Sequence, residues 1–134
     1  LLYAEMEERI RALKLLFALR EYMEAHVIDE EAKARKYPML LYNITVNLGA
    51  EKRYEEAFEL CGSGIEFCIK HNKLAVLPFL INNKACAAAE LKRFEEARRF
   101  FAQAVVLFEI CQKETIVEQI KTEAKERYNL EVGI

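Results

Sequence analysis

The chain reads Lys52-Arg53-Tyr54-Glu55-Glu56-Ala57 near its middle and Lys92-Arg93-Phe94-Glu95-Glu96-Ala97 forty residues later. The same shift brings Pro38 onto Pro78 and keeps aromatic, small and apolar residues in phase. Further matched pairs are Leu40 with Leu80, Leu41 with Ile81, Asn43 with Asn83, Cys61 with Phe101, Gly64 with Ala104 and Cys68 with Phe108. Chance rarely aligns so many positions at one offset. The chain therefore contains an internal repeat, and this period is typical of helix pairs stacked in an α-solenoid.

The composition favours long helices in a single domain. The chain has 134 residues, of which 53% are hydrophobic and 31% charged, with 4 glycines and 2 prolines. Few glycines and prolines among abundant alanine, leucine, glutamate, lysine and arginine favour helices over strands and loops. The net charge of −2 argues against a nucleic-acid-binding role for this chain itself.

The apolar runs and the first residues of the sequence indicate where in the cell the protein is expected. No apolar run reaches the roughly 18 residues of a membrane span, and no signal-peptide pattern opens the chain. We therefore expect a cytoplasmic protein with no membrane partner. Because the sequence starts at Leu1 without methionine and within a helical pattern, we expect a piece of a longer protein.

The spacing of apolar residues predicts six helices and no strand. The predicted segments are 2–25, 29–48, 54–71, 73–91, 94–112 and 114–128. Pro38 interrupts the second of them, so a kink or break near Tyr37 is expected. The predicted fold is all-α, with antiparallel helix pairs stacked as an α-solenoid in a single domain, 1–134. Its repeats span about 38–72 and 78–112, flanked by helices at 1–25 and 114–128.

The second helix of each repeat resembles the tetratricopeptide motif, which places alanine three residues after an aromatic residue, then aromatics and a further small residue. The residues that carry the resemblance are Phe94-Glu95-Glu96-Ala97-Arg98-Arg99-Phe100-Phe101-Ala102-Gln103-Ala104-Val105 and Tyr54-Glu55-Glu56-Ala57 with Gly64. The resemblance implies a tetratricopeptide-like solenoid, although the period exceeds the usual value of about 34 residues. We expect Ala57, Gly64, Ala97 and Ala104 at close helix contacts.

A longer stretch resembles the C-terminal sensor region of bacterial helix-turn-helix transcriptional regulators of the peptide-pheromone-responsive type. It comprises Leu40-Leu41-Tyr42-Asn43-Ile44-Thr45-Val46-Asn47-Leu48-Gly49, then Arg53 to Ala57, and the ending Lys125-Glu126-Arg127-Tyr128-Asn129-Leu130-Glu131. The resemblance implies a ligand-sensing and dimerising domain that binds a short peptide in a concave groove. It further implies a homodimer, with DNA bound only through an N-terminal domain outside this chain.

Asparagines are the candidate peptide-binding residues. Asn43 and Asn83 recur at the repeat offset, and they resemble the asparagine that this family uses to hold a peptide backbone, since an amide offers both donor and acceptor. Asn47 and Asn82 are weaker candidates of the same kind. The alternative is that these amides bond to neighbouring helices or cap a kink.

Side chains on the same predicted helix faces could form pockets beside the amides. Tyr42, Phe79 and Cys86 are the candidates, together with Val46 and Glu90. Their alternative role is ordinary packing.

Motifs for catalysis are not found. No metalloprotease, nucleotide-binding or nucleophile-elbow pattern is present, so we expect no enzyme activity, no cofactor and no metal. Cys61 and Cys68 lie two turns apart on one helix face and are expected to be small buried hydrophobes, the alternative being a disulfide, metal or redox role. Two other functions stay open: a general protein-interaction scaffold unrelated to transcription, and an accessory domain of a larger enzyme.

Overall fold

The computed structural model describes the backbone of residues 2–26 and 29–132, and the side chains from residue 5 onward within these ranges. The helices are α1 (Leu2–His26), α2 (Glu30–Ala50), α3 (Tyr54–Lys70), α4 (Leu77–Glu90), α5 (Phe94–Ile110) and α6 (Glu114–Tyr128). No strand occurs in these ranges. Each helix packs on the next, and α2 also contacts α4, so helix pairs stack side by side. The all-α, six-helix, solenoid-like prediction is confirmed.

The turns reveal a finer period than the sequence repeat. Left-handed backbone conformations occur at Lys52, Asn72, Lys92 and Gln112, with φ of 61°, 55°, 66° and 60°, so the spacing is twenty residues. In each turn, the next backbone N–H donates to a carbonyl five residues earlier, over 2.8–2.9 Å. This bond satisfies a carbonyl that the end of the helix leaves without an intrahelical partner. Each half-repeat is therefore one helix and one identically closed turn.

These turns offer a route to a more stable protein. A non-glycine residue in the left-handed conformation costs about 1–2 kcal/mol, whereas glycine costs about 0.5–1 kcal/mol through its greater freedom when unfolded. Gln112→Gly is therefore expected to raise the free energy of unfolding by roughly 0.5–1 kcal/mol, measured by urea denaturation. Gln103→Gly, in the exposed interior of α5, is the matched control and should lower it by about 1 kcal/mol. Equal effects at the two positions would contradict the turn assignment.

Two proline predictions need correction. The fourth helix begins at Leu77, not Lys73, because a helix continued through Pro78 would lose a hydrogen bond to the carbonyl at position 74 and clash with it. By contrast, α2 is unbroken through Pro38. Burial of Pro38 and the neighbouring Tyr37 offsets the lost bond, and Asp29 caps the helix by accepting from a backbone N–H at 3.0 Å. The helix that contains Pro38 therefore extends well N-terminally of its proline, whereas the helix that contains Pro78 begins one residue before it.

The small residues of the repeat lie at helix contacts, as predicted. Ala97 and Ala104 are fully buried, and Ala57 is 3% exposed. A Cβ added to Gly64 would lie 3.0 Å from Leu80 Cδ1, which is tighter than ordinary van der Waals contact. The missing side chain at this position therefore lets α3 approach α4 closely.

The two ends of the stack differ in polarity. The apolar residues of α6 are turned inward, and its surface groove is lined by threonine, glutamate and glutamine. Val117 and Ile120 are thus buried within one chain and offer no exposed apolar face to a second copy. On α1, by contrast, large apolar side chains remain exposed, namely Met6, Ile10, Leu15, Leu19 and Tyr22. The α6 end therefore has the polar outer face expected of a capping helix, and the α1 end does not.

Candidate functional site

A cavity of about 210 Å³ opens where the C-terminal halves of α2 and α4 meet the start of α3 and the end of α6. We call this surface the groove cavity. Its lining residues are Thr45, Val46, Gly49, Tyr54, Ala57, Asn83, Cys86, Ala87, Glu90, Arg127 and Tyr128. Small and apolar side chains form part of the wall, and the remainder carries one carboxylate, one guanidinium, two phenols and an amide. Such a mixture of apolar surface and a few polar groups is characteristic of a ligand site.

Two residues of opposite charge, Glu90 and Arg127, line the groove cavity without forming an ion pair. Glu90 is half-buried at the end of α4, and Arg127 lies on the last turn of α6. No ion pair joins them among the described side chains; Arg127 instead approaches Glu123, with 3.9 Å between Nη1 and Oε1. The Arg127 guanidinium also lies 5.3 Å from the centre of the Tyr128 ring.

Burial raises the pKa values of three ionisable side chains in the cavity wall. Burial raises the pKa of the Cys86 thiol to about 11, with the Glu123 carboxylate adding to the effect. Burial also raises the pKa of Tyr128, and its hydroxyl is buried without a hydrogen-bond partner within the described chain. Burial and the charge of Glu90 raise the pKa of Tyr54. At neutral pH Cys86, Tyr54 and Tyr128 therefore present a thiol and two hydroxyls rather than a thiolate and phenolates, which is suited to hydrogen bonding.

The two repeat-related asparagines occupy different environments. Asn83 lines the groove cavity, and its Nδ2 donates to the Thr45 hydroxyl on the neighbouring helix at 3.1 Å. Asn43 is exposed and lies outside the cavity wall. The amide of Asn83 thus bonds to a neighbouring helix, which was the alternative role. The residue also forms part of the cavity wall.

The weaker asparagine candidates are also outside the cavity wall. Asn47 donates to the backbone carbonyl of Asn43 at 2.8 Å, one turn earlier on its own helix. The side-chain oxygen of Asn82 is buried and has no hydrogen-bond partner in the described chain. The structure therefore does not bring the four asparagines together in one row.

The aromatic candidates pack on one another. The rings of Tyr42 and Phe79 meet edge to face with 5.9 Å between centroids, and Phe79 meets Phe108 in the same way at 4.9 Å. Neither Tyr42 nor Phe79 lines the cavity, although Phe79 is 37% exposed. Three residues predicted to share a face, Cys86, Val46 and Glu90, do line it together.

Seven of the eleven lining residues were not among the sequence candidates, and three of these seven carry large polar side chains: Tyr54, Arg127 and Tyr128. Tyr54 was interpreted only as an aromatic of the repeat motif, and the other two as part of a helix that resembles the family's ending. The available signal was their residue type, because tyrosine and arginine are each enriched among the residues that dominate binding energy. The position of these two residues opposite α4 depends on how α6 packs against the other helices.

The cysteines and possible metal ligands of the described residues form no second cluster. Cys61 and Cys68 are fully buried, as expected, whereas Cys111 is exposed. Within 5–26 and 29–132, no three histidine, cysteine, aspartate or glutamate residues are grouped to hold a metal ion. The helices in those ranges are also not long and apolar enough to cross a bilayer.

No family model, no curated protein and no solved structure matches this chain. What the chain itself defines is a class: an all-α protein built from stacked helix pairs, with a mixed-charge cavity between them.

Proposed function

We propose that this chain is a binding module that holds a short extended peptide along α2, α4 and the end of α6. The observation that supports it best is the groove cavity, whose wall comes from four helices and includes both charges, hydroxyls and an amide. Repeat proteins with stacked helices commonly bind extended partners along their shared surface. Asn83, Tyr54 and Tyr128 supply donors and acceptors of the kind that peptide backbones need.

The resemblance to sensor regions adds a biological setting to this proposal. In that setting the peptide is an effector, the chain is the sensing and dimerising part of a transcriptional regulator, and an N-terminal domain contacts DNA. Reading the residues that precede this chain in the full-length protein tests the setting. A helix-turn-helix there supports it, and a catalytic domain there instead favours the accessory-domain alternative.

Two matched valines allow the peptide proposal to be tested. Val46 lines the groove cavity and is 44% exposed, whereas Val106 is 39% exposed on α5 and lies outside the cavity wall. Peptides would be selected from a random linear heptamer library against the intact chain, and the strongest would be titrated by calorimetry. We expect Val46→Arg to weaken binding at least about tenfold, or 1.4 kcal/mol, because arginine both fills the groove and adds a charge.

Val106→Arg is the control, since it makes the same substitution at a similarly exposed valine. It should leave affinity within about twofold, a difference well below 1.4 kcal/mol. Equal weakening by both variants would show a non-specific effect of charge and would contradict a site in the groove. A general scaffold unrelated to transcription would also pass this test, and the upstream sequence separates the two.

A further inference from the structure

The carboxylate of Glu90 lacks a cationic partner. Glu90 is half-buried at the C-terminal end of α4, where the helix dipole adds negative charge. No ion pair involves Glu90 among the described residues, although seven other ion pairs occur there. A partly desolvated carboxylate in this position is stabilised by an ammonium group or a similar cation. The groove cavity is the space in which such a cation could lie.

The guanidinium of Arg127 has unused donors. Its contact with Glu123 is long, at 3.9 Å, and its side chain is 55% exposed. A guanidinium carries five N–H donors in a fork that matches a carboxylate. Arg127 therefore has the capacity to bind an anion at the mouth of the cavity.

The hydroxyl of Tyr128 is the third polar group of this arrangement. It is buried, it belongs to the cavity wall, and no described residue bonds to it. Leaving a buried hydroxyl unpaired is unfavourable, so a partner supplied by a ligand would recover this loss. A carboxylate without an ion pair, a guanidinium with one long contact and a hydroxyl without a partner thus line one small space.

We propose that the groove cavity binds a free α-amino acid, with its ammonium group against Glu90 and its carboxylate against Arg127. The Tyr128 hydroxyl donates a hydrogen bond to the ligand, and Val46, Ala57 and Ala87 contact a small apolar side chain. A free amino acid is a small ligand, and the groove cavity of about 210 Å³ is smaller than the clefts of roughly 300–1,000 Å³ that hold drug-sized ligands. This inference goes beyond the peptide proposal and does not depend on it.

The test uses the intact ¹⁵N-labelled chain and four probes that share the leucine side chain and differ in the charge of their two ends. L-Leucine carries both charges, L-leucinamide lacks the carboxylate, N-acetyl-L-leucine lacks the ammonium, and N-acetyl-L-leucinamide lacks both. Chemical-shift titrations are expected to give millimolar affinity for leucine, with shifts at residues of the cavity wall. Each single-charge probe should bind at least tenfold more weakly, and the neutral probe should not bind. Equal affinities for the four probes, or no shifts at the cavity, would overturn the proposal.

Charge-removing variants assign the two ends of the ligand. Glu90→Gln should abolish the preference for leucine over N-acetyl-leucine, and Arg127→Gln should abolish the preference over leucinamide. The matched controls Glu96→Gln and Arg99→Gln, on α5 and outside the cavity wall, should retain both preferences. Unchanged preferences in the two cavity variants would overturn the assignment.

Tyr128→Phe separates binding from stability. The variant removes a buried hydroxyl that has no partner in the ligand-free chain, so its melting temperature should be unchanged or higher. Leucine affinity should nevertheless fall severalfold. A lower melting temperature with unchanged affinity would show a structural role and would count against the hydroxyl as a ligand contact. If leucine binds and the library yields no binding peptide, the peptide proposal alone is refuted. If a peptide binds and leucine does not, the amino-acid proposal alone is refuted.

Discussion

Replacing Phe108 by alanine is expected to lower the free energy of unfolding by about 3–5 kcal/mol, the largest effect of any substitution considered for this chain. Phe108 is 2% exposed near the end of α5, and its ring packs edge to face against Phe79 with 4.9 Å between centroids. Truncation leaves a cavity between α4 and α5, which make the most extensive contact in the stack. Urea denaturation followed by circular dichroism measures the loss.

Phe94→Ala is the matched control for this prediction, because it makes the same truncation at the start of the same helix. Phe94 is 39% exposed, so less apolar surface returns to water and little cavity forms. We expect a loss of about 1 kcal/mol or less at this position. Losses of similar size at Phe94 and Phe108 would contradict the placement of the core between α4 and α5.

The fold was predictable because the repeat and the helical spacing of apolar residues give the same answer. Each helix of the pair carries its own apolar stripe, and the alanines and glycine at 57, 64, 97 and 104 mark the close contacts. The twenty-residue turn period was not predictable. Lys52, Asn72, Lys92 and Gln112 share a backbone conformation but no side-chain signature, and none is the glycine that usually marks such a turn.

The two prolines show why helix starts are harder to predict than helices. Pro38 and Pro78 occupy the same repeat position, yet one lies inside α2 and the other in the first turn of α4. The difference comes from residues outside the repeat. Asp29 caps α2, and Tyr37 accepts a hydrogen bond from Arg20 of α1 at 3.1 Å, so the N-terminal extension is held by tertiary contacts.

The candidate site was predicted in part. Asn83 was identified from the repeat offset and the family resemblance, and Cys86 from its predicted helix face; both line the cavity. Arg127 and Tyr128 lie outside the repeat, and their approach to α4 depends on the packing angle of α6. The shape of a cavity depends on the distances between helices, and a sequence pattern does not give those distances. Asn43 illustrates the converse, since repeat symmetry predicted a role like that of Asn83 but the two side chains have different neighbours.

Gly64 and Leu80 are expected to be strongly coupled. Leu80 is fully buried, and its truncation to alanine should cost about 2–5 kcal/mol. Gly64→Ala should also destabilise the otherwise unchanged chain, because the new methyl group would meet Leu80 Cδ1 at 3.0 Å and Leu41 Cδ1 at 3.5 Å. Overpacking of about 1–3 kcal/mol then exceeds the helix-propensity gain of roughly 1 kcal/mol.

In the Leu80→Ala background, the sign of the Gly64→Ala effect should reverse. The clash is gone, the new methyl group fills part of the cavity, and the propensity gain remains. The double variant should therefore be more stable than Leu80→Ala alone by about 1 kcal/mol, which gives a coupling energy within the range of 0.5–3 kcal/mol seen for residues in contact. Gly62→Ala is the control, since its Cβ would meet only the flexible end of Lys84, at 3.2 Å, and its effect should be the same in both backgrounds. Additive effects of Gly64→Ala and Leu80→Ala would show that α3 and α4 do not meet at this glycine.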